Sequence, residues 1–190
     1  TLNPSSAASD VYKRQAEHFS DTIKSIKEKA PQVIIEALVP DFMGKTRSIE
    51  TLMDSNLEVF AQNLETVKRL TKRVRDPRAG YEQTLNVLSY AKEYKPSIIT
   101  KTSLMFGLGE TEDEIRESFL DIQDSGVDVL TLGQYMRPTI NHLPVTKWYS
   151  PQEFEYYKDM ALDIGFLEVA SGPMVRSSYR ADRIAHLVSS

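Results

Sequence analysis

The sequence predicts an α/β protein built on a parallel sheet, with strands inside and helices outside. Two observations predict it. Short β-branched apolar runs alternate with amphipathic stretches of helical spacing. The polar clusters, around Asp41, Asn63 and Glu65, Gly107 to Glu110, and Gln134 to Arg137, fall just after the C-terminal ends of those runs. Alternation of this kind implies βαβ units. Right-handed crossovers then leave an open doubly wound sheet or a barrel. In both, chemistry sits in the loops beyond the strand ends, so the placement of the clusters points to an enzyme scaffold.

Each element follows from local patterning. Phe19, Ile23, Ile26 and Ala30 recur at helical spacing until Pro31 stops them. The run Val33 to Val39 reads as a strand covered on both faces. Ser48 is placed to cap a helix over Ile49 to Asp54. Leu57 to Gln62 reads as a second strand, and a Lys/Arg-rich helix follows Thr66 until Asp76-Pro77 breaks it. Leu85, Leu88 and Ala91 mark the next helix, which stops near Pro96. Ile98 to Phe106 is the third strand. Thr111 with Glu114 forms a capping-box pattern before the stripe Ile115, Phe119, Ile122, which ends at Gly126. Val127 to Leu132 is the fourth strand, followed by a long loop from Gly133 to Tyr149. Ser150-Pro151-Gln152-Glu153 opens a further helix running to Gly165, and Phe166 to Ala170 is the last strand.

Composition narrows the chemistry. The chain has 190 residues, of which 41% are hydrophobic, enough to bury one sizeable core. Its 23 basic and 27 acidic residues give a net charge of -4, which supplies no electrostatic case for nucleic acid. No apolar run approaches the roughly 18 residues of a membrane helix. There is no cysteine, so disulfides and zinc–thiolate sites are excluded. Thr1 to Gln15 is small and polar, without an apolar period that convinces. It reads as a disordered tail or as foreign sequence joined ahead of a unit spanning 16–190.

Each polar cluster has a chemical and a plainer reading. The turn Gly107-Leu108-Gly109-Glu110 would point backbone N–H groups outward to a ligand's polar edge, or be an ordinary βα turn. Asn63 and Glu65 suit a ribose or an amino-acid head group, or else cap a helix. Gln134 and Arg137 bring an amide and a guanidinium to one strand end, and the planar fork of arginine suits a carboxylate. The basic run from Lys68 to Arg75 reads as a solvated helix face, Tyr156-Tyr157 as packing and His142 as a surface histidine. Two serines after Arg176 suggest an anion or phosphorylation site, with no His–Asp partner nearby to activate either.

Five segments occur together in the order and approximate spacing of one family: Glu36 to Phe42, Asn63 to Thr66, Leu104 to Thr111, Thr131 to Tyr135, and Gly172 to Tyr179. From Ala16 to Ala181 the chain resembles lipoyl synthases. The resemblance implies a partial, TIM-like radical S-adenosylmethionine (SAM) barrel of parallel strands with outer helices. It implies SAM and two four-iron, four-sulfur clusters as cofactors, and sulfur insertion at C6 and C8 of a protein-bound octanoyl group. One cluster is held by a Cys-x3-Cys-x2-Cys motif and the other, the sulfur source, by three cysteines and a serine. Carried over residue by residue, Ser178 is the serine ligand to the sacrificial cluster and Arg176 lies beside cluster and substrate. Asn63, Glu65, Gly107, Gly109, Glu110, Gln134 and Arg137 are the expected SAM contacts. The implied partners are an octanoylated lipoyl domain or glycine-cleavage H protein, a ferredoxin- or flavodoxin-type electron donor, and an iron–sulfur carrier, with neither nucleic acid nor membrane.

The departure from the family is the absence of cysteine. Both cysteine motifs belong upstream of Ala16, so the chain is expected to begin after them, to lack the first two barrel strands and to be inactive alone. Phe166 to Pro173 looks closer to mitochondrial members, which makes a mitochondrial location the first expectation and a bacterial cytoplasm or plastid the alternative. A metal-free barrel enzyme such as a lyase, and a truncated binding or regulatory relative, stand as the competing readings.

Overall fold

A computed structural model describes residues 4–178 and 184–188. Five strands form one parallel sheet in sequential order: β1 (Glu36–Leu38), β2 (Val59–Ala61), β3 (Ile99–Phe106), β4 (Val129–Gln134) and β5 (Glu168–Gly172). The helices are α1 (Pro4–Lys29), α2 (Thr46–Met53), α3 (Thr71–Val74), α4 (Tyr81–Tyr94), α5 (Glu112–Asp124), α6 (Pro151–Ile164) and α7 (Ala185–Val188). β1 and β5 are the edges and do not pair with each other, so the sheet is an unclosed barrel wall.

Register separates the two faces of this wall. Phe60, Leu104, Phe106, Leu130, Leu132 and Val169 face the helices and join Phe119, Ile122 and Phe154 in the main core. The opposite, concave face carries Val59, Ile99 and Val129, which meet Ile184 in a second, smaller cluster. β3 and β4, with partners on both sides, are buried nearly throughout.

β1 differs from its expectation. Only Glu36 to Leu38 pair, and Leu38 is 47% exposed. The apolar run gave no sign that this strand has a neighbour on one side alone, which leaves Val33, Ile34 and Leu38 exposed.

Helix ends follow the predicted chemistry closely. Thr111 and Glu114 form a complete capping box on α5, and Ser150 and Glu153 form another on α6 with Pro151 in its first turn. Such caps stabilise a helix by about 1 kcal/mol each. Three other expectations need correction. Ser48 lies inside α2, whose N-cap is Lys45. The basic stretch folds as a 3-10 turn over Lys68–Leu70 followed by the one-turn α3, because Val67, Leu70 and Thr71 are drawn into the interior before Pro77 intervenes. Residues 4–15 are helical, against the disordered-tail reading and without bearing on the foreign-sequence one. The apolar stripe runs back past Phe19 to Ala16, which is buried, and to Tyr12, which packs on the core.

Candidate functional site

The C-terminal ends of β2, β3 and β4 and the segment after β5 surround a cleft of about 150 Å³, lined by Asn63, Glu65, Ser103, Met105, Gly133 and Arg176 among others. Its shape begins with the backbone at Glu65. This residue has φ +73, a left-handed conformation that costs a side-chain-bearing residue about 1–2 kcal/mol. Two sheet-like bonds hold it there. The Glu65 N–H donates to the Ser103 carbonyl at 2.9 Å, and the Met105 N–H donates to the Glu65 carbonyl at 2.9 Å. Between them Leu64 is fully buried, its N–H donating to Thr102 Oγ1 at 3.0 Å. Asn63 and Glu65 flank it and line the cleft, joined by Asn63 Nδ2 donating to Glu65 Oε1 at 3.1 Å. The helix-cap alternative for this pair is therefore excluded. No helix starts at Asn63, and the strain is concentrated where two polar side chains meet an opening.

Of the two readings of the Gly107 turn, the structure fits the ordinary βα turn. Its first two N–H groups are taken up within the turn. The Glu110 carboxylate turns back and accepts from the Gly107 N–H at 2.5 Å and the Leu108 N–H at 2.9 Å. Arg69 reaches the Gly109 carbonyl at 2.8 Å. Gly107, Gly109 and Glu110 thus close the turn on itself, and none of them lines the cleft.

Gln134 borders the cleft, yet its buried amide is spent internally. Nε2 lies within 3.0–3.2 Å of the Phe106, Tyr135 and Lys147 carbonyls, and Oε1 accepts from the Tyr149 N–H at 3.0 Å. It ties the long loop to the tops of β3 and β4. Arg137 is exposed and donates to the His142 carbonyl at 2.9 Å and to the Ile140 carbonyl, clamping its own loop. Asp41 behaves similarly, accepting from the Met43 N–H at 3.0 Å and from Gln83.

The chain after β5 folds back over the sheet. The Val175 N–H donates to the Gly172 carbonyl at 3.1 Å, Val175 is buried, and Arg176 Nη1 donates to the Val175 carbonyl at 2.6 Å. Arg176 and Ser177 reach the cleft; Ser178 follows in an exposed turn. Tyr179 lies outside the described residues.

Sequence reasoning missed one group on the concave face. Lys101, with a side chain 2% exposed, donates to both Glu36 carboxylate oxygens at 2.9 and 2.8 Å. The signal was present: a lysine two places into an otherwise apolar and hydroxylic strand must find a carboxylate.

Electrostatics stiffen the rim. The Arg69 guanidinium beside Glu114 holds that carboxyl down at about 2. Lys147 and the Ser150 cap do the same for Glu153, also about 2. Burial, then the Glu110 charge, pushes the Tyr149 phenol well above its usual range, and burial lifts Tyr157 to about 12. In the basic run Lys68 pairs with Glu82 at 2.6 Å and Arg69 with Glu114 at 2.5 Å, while the half-buried Arg75 donates to Thr84 Oγ1 at 2.8 Å. Tyr157 packs edge-on against Phe106 at 5.1 Å between ring centroids. His142 is exposed, within 2.8 Å of Thr139 Oγ1.

The donors present decide which groups fit. Asn63, Glu65 and Arg176 suit the hydroxyl, ammonium and carboxylate groups of a nucleoside joined to an amino acid. An iron–sulfur cluster does not fit these residues. The chain has no thiolate, and the described residues contain no cluster of three His, Asp or Glu arranged for a metal. No helix among the described residues is long and apolar enough to cross a membrane.

Residues 10–122 match the model of the radical SAM superfamily. The chain is 60% identical over 169 residues to the lipoyl synthase of Ectopseudomonas mendocina, covering 89% of this chain and 48% of that protein. It is 59% identical to the lipoyl synthase of Thermus thermophilus, covering 89% and 52%. It thus spans about half the length of the curated relatives it matches. These relatives are bacterial and lend the mitochondrial expectation no support. Among solved structures, methylornithine synthase superimposes with a TM-score of 0.61 at 12% identity, covering 90% of this chain and 58% of that one. The hydrogenase maturase HydG of Carboxydothermus hydrogenoformans gives 0.58 at 13%, covering 94% and 52%. Both likenesses concern the fold.

Proposed function

The chain belongs to the radical SAM superfamily, and from that premise we propose that it is the sheet-and-cleft portion of a lipoyl synthase, with the Asn63–Glu65 cleft receiving SAM. The carrying observation is the strained Glu65, held left-handed by two sheet bonds so that it and Asn63 line one opening. Identity of 54–60% to lipoyl synthases supports the assignment.

The reaction replaces one C–H bond at C6 and one at C8 of a protein-bound octanoyl chain by C–S bonds. SAM, when bound, supplies the hydrogen-abstracting power. The chain's own residues bind and orient. The Glu65 carboxylate keeps one oxygen for a ribose hydroxyl or ammonium while Asn63 holds the other. Arg176 offers a guanidinium to a carboxylate at the cleft's far side. Gln134, Gly107 and Glu110 act indirectly, by fixing the loop and turn that frame the opening. Ser178 offers a single alkoxide ligand. Since no cysteine accompanies it, the 190-residue chain alone holds no cluster and performs no turnover. On this reading the partners are an octanoylated lipoyl domain or H protein, an electron donor of ferredoxin or flavodoxin type and an iron–sulfur carrier, met in a bacterial cytoplasm.

The test is a titration of the chain with SAM followed by amide NMR. Asn63, Glu65 and Gly133 signals should shift together, and Glu65→Ala should abolish the shifts. Shifts confined to other regions, or unaffected by Glu65→Ala, would refute the assignment. Anaerobic reconstitution with iron and sulfide should leave the chain without a bound cluster.

A further inference from the structure

We infer that Gly133 is a positioning residue: the absence of a side chain there is what lets the segment after β5 fold back over the sheet and carry Arg176 and Ser177 to the cleft. A Cβ added at Gly133 would fall far inside 3.0 Å of the Val175 carbonyl oxygen and 3.5 Å from Arg176 Nη1. The first neighbour is backbone, which cannot rotate aside as a side-chain tip can.

Gly133 itself has nowhere to go. It pairs with Met105 of β3 on one side and Gly172 of β5 on the other, so moving it breaks two ladders. The Val175 segment is held by less. Among the described residues it has the buried valine side chain and one turn bond from its N–H to the Gly172 carbonyl, while the Arg176 guanidinium on the Val175 carbonyl is internal to the segment. A methyl group at position 133 therefore displaces the tail and leaves the strand in place. Gly172 offers the control. A Cβ there would meet only Val175 Cγ2 at 3.5 Å, an ordinary contact. The consequence for Arg176 and Ser178 as functional groups rests on the reading above; the seat itself does not.

The absence of native cysteine makes the test direct. Ser177→Cys places one thiol on the half-buried stretch lining the cleft, and its alkylation rate reports how often the tail lifts. In that background Gly133→Ala should raise the rate about tenfold or more, the scale set by unseating one buried valine. Gly172→Ala should leave it unchanged, and the urea midpoint of Gly133→Ala should fall only by the seat it loses, about 0.7 M for each tenfold rise in rate. An unchanged rate in Gly133→Ala overturns the inference, as does equal acceleration in Gly172→Ala. Global unfolding of Gly133→Ala overturns it as well, because β4 would then be the part that yields. Alkylation needs no cofactor, so a failure of the lipoyl synthase reading leaves the result interpretable.

Discussion

Replacing Glu110 separates a turn that closes on itself from a turn that waits for a ligand. The Glu110 side chain is nearly buried and its carboxylate accepts two backbone N–H bonds, at 2.5 and 2.9 Å. Glu110→Ala leaves the Gly107 and Leu108 donors without that acceptor. A buried unsatisfied donor costs about 1–3 kcal/mol, so two cost about 2–6. Gly109 in the same turn is only half-buried, and water entering the vacated space recovers part of this, which brings the expected loss to about 2–4 kcal/mol. With a urea m-value of about 2 kcal/mol/M, the midpoint should fall by about 1–2 M. Glu110→Gln retains one acceptor oxygen, loses the charge, and should fall between Ala and the parent. If Glu110→Ala unfolds within about 0.5 kcal/mol of the parent, the carboxylate is not what closes the turn, and its role as a ligand contact is restored.

Two further perturbations follow from the ion pairs. Lys101→Met breaks a pair whose lysine is almost fully buried; it should cost about 3 kcal/mol in urea unfolding, while Lys101→Met with Glu36→Met should recover most of that. A single variant no worse than the double would refute this. Glu114 and Glu153 are held at about 2 against an ordinary 4.5. A depressed carboxylate contributes stability that is complete above the unfolded value and lost as pH falls toward the folded one. Urea midpoints should therefore decline from about pH 5 toward about pH 2, and Glu114→Gln should flatten part of that limb; an unchanged acid limb would count against the Arg69 pairing.

Much of the frame was legible in the sequence because its determinants are local. The capping boxes of α5 and α6 need four adjacent residues, and the strand runs of β3 and β4 need only continuous apolar character. What escaped depends on partners distant in sequence. β1 pairs over less than half of its apolar run because it has a neighbour on one side alone, and Val33 cannot announce that. The Asn63–Glu65 pair was visible as a polar cluster. Its strained geometry was not, because it comes from Ser103 and Met105, some forty residues later. Gly107 and Glu110 were recognised as belonging together, but whether the carboxylate faces outward or back is a rotamer, and spacing does not encode it.

The concave face explains why the polar chemistry gathers at one end. Along β3 its residues ascend as Ile99, Lys101, Ser103 and Met105, about 7 Å per step of two residues in a parallel sheet. At the lowest level Ile99 stands in register with Val59; Ile184 covers these two and Val129, and Leu187 and Val188 pack beside them. The next level holds Lys101, in register with Val129, whose ammonium is satisfied by the Glu36 carboxylate. From Ser103 upward Asn63, Glu65 and Arg176 line the opening. The cleft therefore opens at the strand C-termini. An apolar chain that descended past Ser103 would meet a charge pair whose desolvation is already compensated, and it would gain nothing by disturbing it. The ion pair thus sets the floor of the usable site, and Glu65 and the folded-back tail set its walls.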